Sequence, residues 1–317
     1  MYAELERMCE RFIDGEEVVH NCYRWSGMTL RCIGATLMLD YERNLNAETL
    51  KNVKNFLKSR EGIFSSFRSN REIPLAVSMG YTSDWEEYYN RVKAIDEEVK
   101  KTSFFSNSFS PIASMIIADN VSPENQRHYI VRTTMIYDQM KKDHAFLTSG
   151  DDIIFAALLA VSDIDSDNIL LEMDEAYRIL KEQIHNSHIQ ELSHILALNL
   201  NSPGEKVSQF MELYQLMKDR GNKIERSYHL ELLGVASLLE MDYTILVEQI
   251  EEVTRYLQAY PKFRGLSMFK EERMIYAMAL VIRFFSQDNK LVDTVLTYVL
   301  LRIQAERDAA AAAAAAA

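Results

Sequence analysis

Apolar positions along this chain fall into two alternating patterns. Stretches such as Met28–Leu39 (MTLRCIGATLML) are apolar nearly throughout, which suits a helix buried on most sides. Stretches such as Glu172–Lys181 carry apolar residues on one face only, with Met173, Ala176, Tyr177 and Leu180 at helical spacing. The two patterns alternate with a period of about 40 residues, the signature of a repeat architecture. Small-apolar stretches recur as Leu75-Ala76-Val77, Ile112-Ala113-Ser114, Ala156-Ala157-Leu158, Ser193-His194-Ile195 and Val235-Ala236-Ser237. Candidate helix caps recur at Thr82, Ser122, Asp163, Ser202 and Asp242. A lysine recurs at Lys58, Lys100, Lys141, Lys181 and Lys218, with Gln258 in the next period.

These registers predict an all-α chain. A first helix covers 3–23, and seven helical hairpins follow at 26–61, 63–102, 105–143, 149–186, 188–220, 226–260 and 268–307. Stacked, they form an α-solenoid, in which each repeat contacts only its neighbours and the core grows lengthwise. No linker long enough to divide the chain is visible, so residues 1–308 read as one helical-repeat domain. The boundaries have a mechanism. Ser202-Pro203-Gly204-Glu205 combines a cap residue, a proline at the first helical position and a glutamate that reaches back. Ser122-Pro123-Glu124 repeats the device, and Ser83-Asp84-Trp85-Glu86 reads as a capping box one period earlier.

Composition narrows this picture. Ten glycines and five prolines in 317 residues favour long helices. A net charge of -12 argues against an electrostatic grip on nucleic acid or an anionic membrane. The longest apolar stretches, near Met274–Ile282 and Val295–Leu301, fall short of the roughly 20 residues a membrane helix needs. The start, MYAELERMCERF, is charged and has no apolar stretch of signal-peptide type, so a cytoplasmic protein is expected. Cys9, Cys22 and Cys32 match no zinc spacing and no closed disulfide set, which suits reduced thiols. The nine alanines Ala309–Ala317 read as a helical extension or as non-native side chains, and carry no functional argument.

Several polar clusters are candidates for chemistry. The lysine series fits the last turn of each second helix, where a cation complements the helix dipole; its alternative is a basic stripe for an acidic partner. Asp163, Asp165, Asp167 and Asp174 partly match a calcium loop, but Asn168 stands where glycine makes the turn and Asp174 replaces a glutamate. The repeat register also starts a helix there, which favours a plain acidic helix start. His194 stands on a first helix where neighbouring repeats carry alanine, and His144 precedes a polar loop containing Asp151 and Asp152. With His229 these outline a possible ligand pocket, although a lone histidine on an apolar helix is commonly a hydrogen-bonded core residue. Phe64-Ser65-Ser66-Phe67-Arg68 and Phe104–Phe109 occupy equivalent loops. Their aromatics suit plugs between hairpins, or, with Arg68, an exposed binding patch. No phosphate-binding glycine motif and no nucleophile-elbow motif is present.

Three stretches in this order and spacing resemble a bacterial family catalogued as a domain of unknown function. They are Phe64–Arg68, His144–Asp152 (HAFLTSGDD) followed by Phe155–Ala160 (FAALLA), and Leu192–Leu198 (LSHILAL). The resemblance covers nearly the whole chain. It implies a cytoplasmic all-helical protein and brings no activity or catalytic residue with it.

The leading expectation is a non-enzymatic helical-repeat protein that binds a protein or peptide, because stacked hairpins present an extended surface. A second is a small-ligand binder or hydrolase-like enzyme using His144, Asp151, Asp152, His194, His229 and Arg68. A third is a calcium module at Asp163–Asp174. No cofactor is expected.

Overall fold

The computed structural model describes residues 1–40, 45–62, 65–68, 72–102, 109–143, 148, 150–162, 164–186, 188–224, 227–287, 289 and 291–303. Every regular element among them is a helix. In chain order these are α1 (Ala3–Cys22), α2 (Met28–Leu37), α3 (Ala47–Arg60), α4 (Glu72–Tyr81) and α5 (Trp85–Thr102). Then come α6 (Ser110–Asn120), α7 (Gln126–Asp143), α8 (Asp152–Val161), α9 (Ser166–Gln183) and α10 (Ile189–Leu196). The last are α11 (Pro203–Asp219), α12 (Ser227–Ala236), α13 (Tyr243–Gln258), α14 (Lys270–Phe285) and α15 over 291–303.

The two hydrophobic patterns correspond to two kinds of helix. α6 buries every residue from Ser110 to Ala118, and α8 every residue from Asp152 to Ala160. The helices after them bury one stripe. In α11 the apolar part of that stripe is Val207, Phe210, Leu213 and Met217; in α13 it is Leu246, Val247, Ile250, Val253 and Leu257. Burying one such side chain contributes about 1.5–3 kcal/mol, so packing rather than intrinsic propensity decides these helices.

Caps set their starts. The Glu205 carboxylate accepts from both the backbone N–H (3.1 Å) and the hydroxyl (2.7 Å) of Ser202, as the Ser-Pro-Gly-Glu pattern predicts. Asp242 accepts from the Thr244 N–H at 2.8 Å. The expectation at 82–84 needs correcting. Asp84 caps α5 by accepting from the Glu87 N–H at 2.9 Å, whereas the Thr82 hydroxyl donates back to Met79 and closes α4. After Ser122 the chain makes a short 3-10 turn, Pro123–Asn125, before α7 begins. Asp163 lies outside the described residues. Lys58, Lys100, Lys141, Lys181 and Lys218 occupy the last turns of α3, α5, α7, α9 and α11, where the dipole argument puts them.

The chain divides into two compact units. Unit 1 comprises Met1–Glu10 and Asp167–Val299; unit 2 comprises Arg11–Ser166 and Leu300–Ala317. In unit 2, α2 packs on α4 and α6 on α8, while α3, α5 and α7 pack on α4, α6 and α8 respectively. Gly34 permits the first of these approaches, since a Cβ there would stand 2.8 Å from Ile73 Cγ2. In unit 1, α12 contacts both α10 and α14, and α13 packs along α14. Gly234 plays the same part, because a Cβ would meet Leu192 Cδ1 at 2.6 Å.

Candidate functional site

In unit 2 the Asp151–Asp152 pair opens α8, and both carboxylates are buried. Asp151 Oδ2 lies 2.8 Å from Nε of Arg302 on α15, and the Arg302 guanidinium sits over the Phe155 ring at 5.3 Å. Arg302 is only 1% exposed, so this is a desolvated ion pair. The sequence reading missed Arg302 as a partner. Its signal was a lone cation inside the apolar stretch Val295–Ile303, which must find an anion when buried. Arg68 is likewise engaged: its Nε donates to Glu72 at 2.6 Å and its Nη1 to the Glu61 carbonyl at 3.2 Å. Phe67 is buried, with its ring edge-on to Tyr89 at 6.2 Å, so it fills the α3–α4 connection. His144, Phe64 and Phe104–Ser108 lie outside the described residues.

His194 and His229 belong to unit 1, on the packed helices α10 and α12, and each is 1% exposed. His229 Nε2 stands 2.9 Å from the Glu271 carbonyl at the start of α14, a hydrogen bond in which the ring must donate. The proposed pocket residues are thus distributed: Asp151 and Asp152 in one unit, His194 and His229 in the other. Of the calcium candidates, Asp165 is exposed just before α9, and Asp174 stands within α9, where it pairs with Arg178 one turn on. Asp163 and the Asp167 side chain lie outside the described residues. Among the described residues no three His, Cys, Asp or Glu side chains are grouped to hold a metal ion. Burial, helped by the neighbouring Glu6 charge, pushes the Cys9 thiol up to about 12, so it remains protonated and unreactive at neutral pH.

The open space in unit 1 lies elsewhere. A groove of about 610 Å³ runs along the ends of three successive helix pairs. Its floor comes from the α10–α11 connection (Leu198–Asn201), the α12–α13 connection (Ser237–Asp242) and Asn289, Leu291 and Val292 by α15. Gln209 and Glu212 of α11 and Tyr243 of α13 complete the wall. The volume is in the range of ligand sites.

Its polar groups are well defined. Gln209 Oε1 accepts from the side-chain amides of Asn199 (3.3 Å) and Asn201 (3.2 Å). The Tyr243 hydroxyl donates to the Ser237 carbonyl at 3.3 Å; burial, and then the Glu212 charge, raise its pKa above the ordinary phenol value. Among the described residues the lining contains three carboxylates, Glu212, Glu240 and Asp242, and no basic side chain. Leucines 198, 238, 239 and 291 provide apolar wall, and Leu200 projects into solvent at 86% exposure. Carboxylates and amides on apolar walls hold cationic, donor-rich chains; among the described residues no nucleophile paired with a histidine base lines this space. None of the described residues singled out from the sequence as site candidates lines it. The groove forms from the turns between helices, which periodicity locates but whose concavity it does not predict.

Comparison with known proteins agrees with the resemblance. The sequence profile of a family described as "Protein of unknown function (DUF4003)" matches residues 17–307. An uncharacterized protein of Bacillus subtilis (strain 168), YeaA, is 23% identical over 279 residues, covering 86% of this chain and 82% of its own. No solved structure gives a significant match. The chain belongs to the DUF4003 family of proteins of unknown function.

Proposed function

We propose that this member of a family of unknown function is a non-enzymatic α-solenoid that takes a protein or peptide partner in the unit 1 groove. The observation that carries the reading is the groove itself: about 610 Å³ of open space, walled by leucines and edged by carboxylates and side-chain amides. Such a lining matches an extended peptide, whose backbone offers both donors and acceptors and whose basic side chains suit the carboxylates. The net charge of -12 points the same way, toward a basic segment rather than nucleic acid or a membrane. Among the described residues no helix is long and apolar enough to cross a membrane. We place the protein in the bacterial cytoplasm.

The test is a photo-crosslinking amino acid at Leu200, beside the groove, in the full chain within its native cells. The control is the same group at Leu266, which is 96% exposed and outside the groove lining. A discrete adduct at position 200, absent at 266 and lost on adding the substitution Leu239→Arg, supports the reading. Equal labelling at both positions, or none at 200, overturns it.

A further inference from the structure

The 40-residue register places one structural template beside the groove. In α13 the pair Gln249 and Glu252 holds the chain's own beginning. The Met1 α-ammonium pairs with the Glu252 carboxylate, and the Tyr2 N–H donates to Gln249 Oε1 at 3.3 Å. The Tyr2 ring rests on apolar surface, stacked on Phe284 at 5.5 Å and edge-on to Phe285 at 6.0 Å. Forty residues earlier the same Gln-x-x-Glu spacing recurs in α11 as Gln209 and Glu212, and these two line the groove. One period earlier again, Glu172 of α9 also holds a primary ammonium: Lys206 Nζ lies 2.6 Å from Glu172 Oε2 and 2.9 Å from the Asn199 carbonyl.

Among the described residues the middle period has no such cation. The position corresponding to Lys206 is Leu246, an apolar side chain buried in α13. No cation among the described residues pairs with Glu212, and none lines the groove. Glutamates on both sides of Glu212 in the register are satisfied by primary ammonium groups, while Glu212 faces a cavity. Leu238, Leu239 and Leu291 stand in that cavity as apolar surface.

We infer that the groove binds the free N-terminus of a peptide. Its α-ammonium pairs with Glu212, its first backbone amide bonds to Gln209 Oε1 in place of the Asn199 and Asn201 amides, and its leading side chains lie on the leucines. This rests on the reading above that the groove is a peptide site, and it names the end of the peptide that is recognised. A lysine ammonium would satisfy Glu212 alone. The Gln-x-x-Glu template satisfies two adjacent groups of a chain terminus, which is why the terminus is preferred.

The probe is the tripeptide Met-Tyr-Ala-amide, titrated calorimetrically into the full chain. Its comparison ligands are N-acetyl-Met-Tyr-Ala-amide and Nα-acetyl-lysine amide. We expect the free tripeptide to bind at least tenfold more tightly than either, and Glu212→Gln to weaken it at least tenfold. Because Glu212 is exposed, this variant should fold, which circular dichroism verifies. Equal binding of the acetylated tripeptide, equal binding of the lysine amide, or no binding of any would each overturn the inference. So would loss of binding in Glu252→Gln with Glu212→Gln unaffected, since the tripeptide would then only be displacing the chain's own terminus. A position-200 crosslink that persists in Glu212→Gln, alongside tripeptide failure, removes this inference and leaves the broader reading standing.

Discussion

One register position carries opposite charge in the two units. In unit 2, Arg91 of α5 and Arg132 of α7 each send a guanidinium to a carbonyl in the connection after the next helix, those of Val121 and Ile164. In unit 1 the same register holds Glu172, Glu212 and Glu252. An arginine is a donor, so it closes a helix end with the unit's own atoms. A glutamate at neutral pH only accepts, so it needs a cation brought to it. Lys206 serves Glu172, the Met1 ammonium serves Glu252, and Glu212 is left facing the groove. One register therefore gives two guanidiniums met by carbonyls of their own unit and, in the other unit, a carboxylate turned to open space.

The largest test of self-satisfaction in unit 2 is Arg302→Ala. It takes the guanidinium away from the buried Asp151 carboxylate, so we expect a loss of about 3–5 kcal/mol in urea unfolding. The double substitution Arg302→Ala with Asp151→Asn should recover part of it, because no uncompensated charge then remains. A loss under about 1 kcal/mol would mean that water reaches Asp151, and the contrast would weaken.

Next in size is Lys206→Leu, which makes this period like the one after it. Removing a buried ammonium with two acceptors should cost about 1.5–3 kcal/mol, whereas Glu212→Gln, at the exposed and cation-free member of the series, should stay within about 0.5 kcal/mol. Similar costs for the two would break the comparison. Leu246→Lys sharpens it from the other side by restoring the missing lysine. It destabilises a packed position, but by about 0.5–1.5 kcal/mol less in the parent chain than in the Glu212→Gln background, as a double-mutant cycle would read. It should also abolish tripeptide binding.

The smallest effect is at Glu252. Its carboxyl is held below the ordinary value, first by the hydrogen bond to the N-terminal ammonium. A depressed acid contributes stability that is fully present above its unfolded value and disappears as pH falls through its folded one. The side chain is 34% exposed, so the contribution at neutral pH is less than about 1 kcal/mol. Urea midpoints below about pH 5 should fall less steeply for Glu252→Gln than for the parent chain.

Much of this was legible along the chain. The alternation of wholly apolar and one-faced stretches located the helices, because burial on all sides and burial on one face leave different apolar patterns along a helix. The lysines of the last turns and the Ser202–Glu205 cap were equally readable, since both act within one turn. The errors were local: Asp84 outcompetes Thr82 and Ser83 as the cap of α5, and after Ser122 a 3-10 segment precedes α7. The glutamate series was present in the register but had no visible meaning, because an acceptor is defined by the donor it meets.

What the sequence by itself determined is the helical content, which rests on interactions between residues three or four apart. Family membership also follows from it, through a profile spanning 17–307. What only the tertiary structure decided is which charges meet. Asp151 finds Arg302, Glu172 finds Lys206, Glu252 finds Met1, and each pairing spans tens to hundreds of positions. The groove belongs to the same class, since its walls come from three separate connections that only packing brings together. Burial turns such pairings into requirements, because a charge removed from water must be met by whatever the fold places beside it.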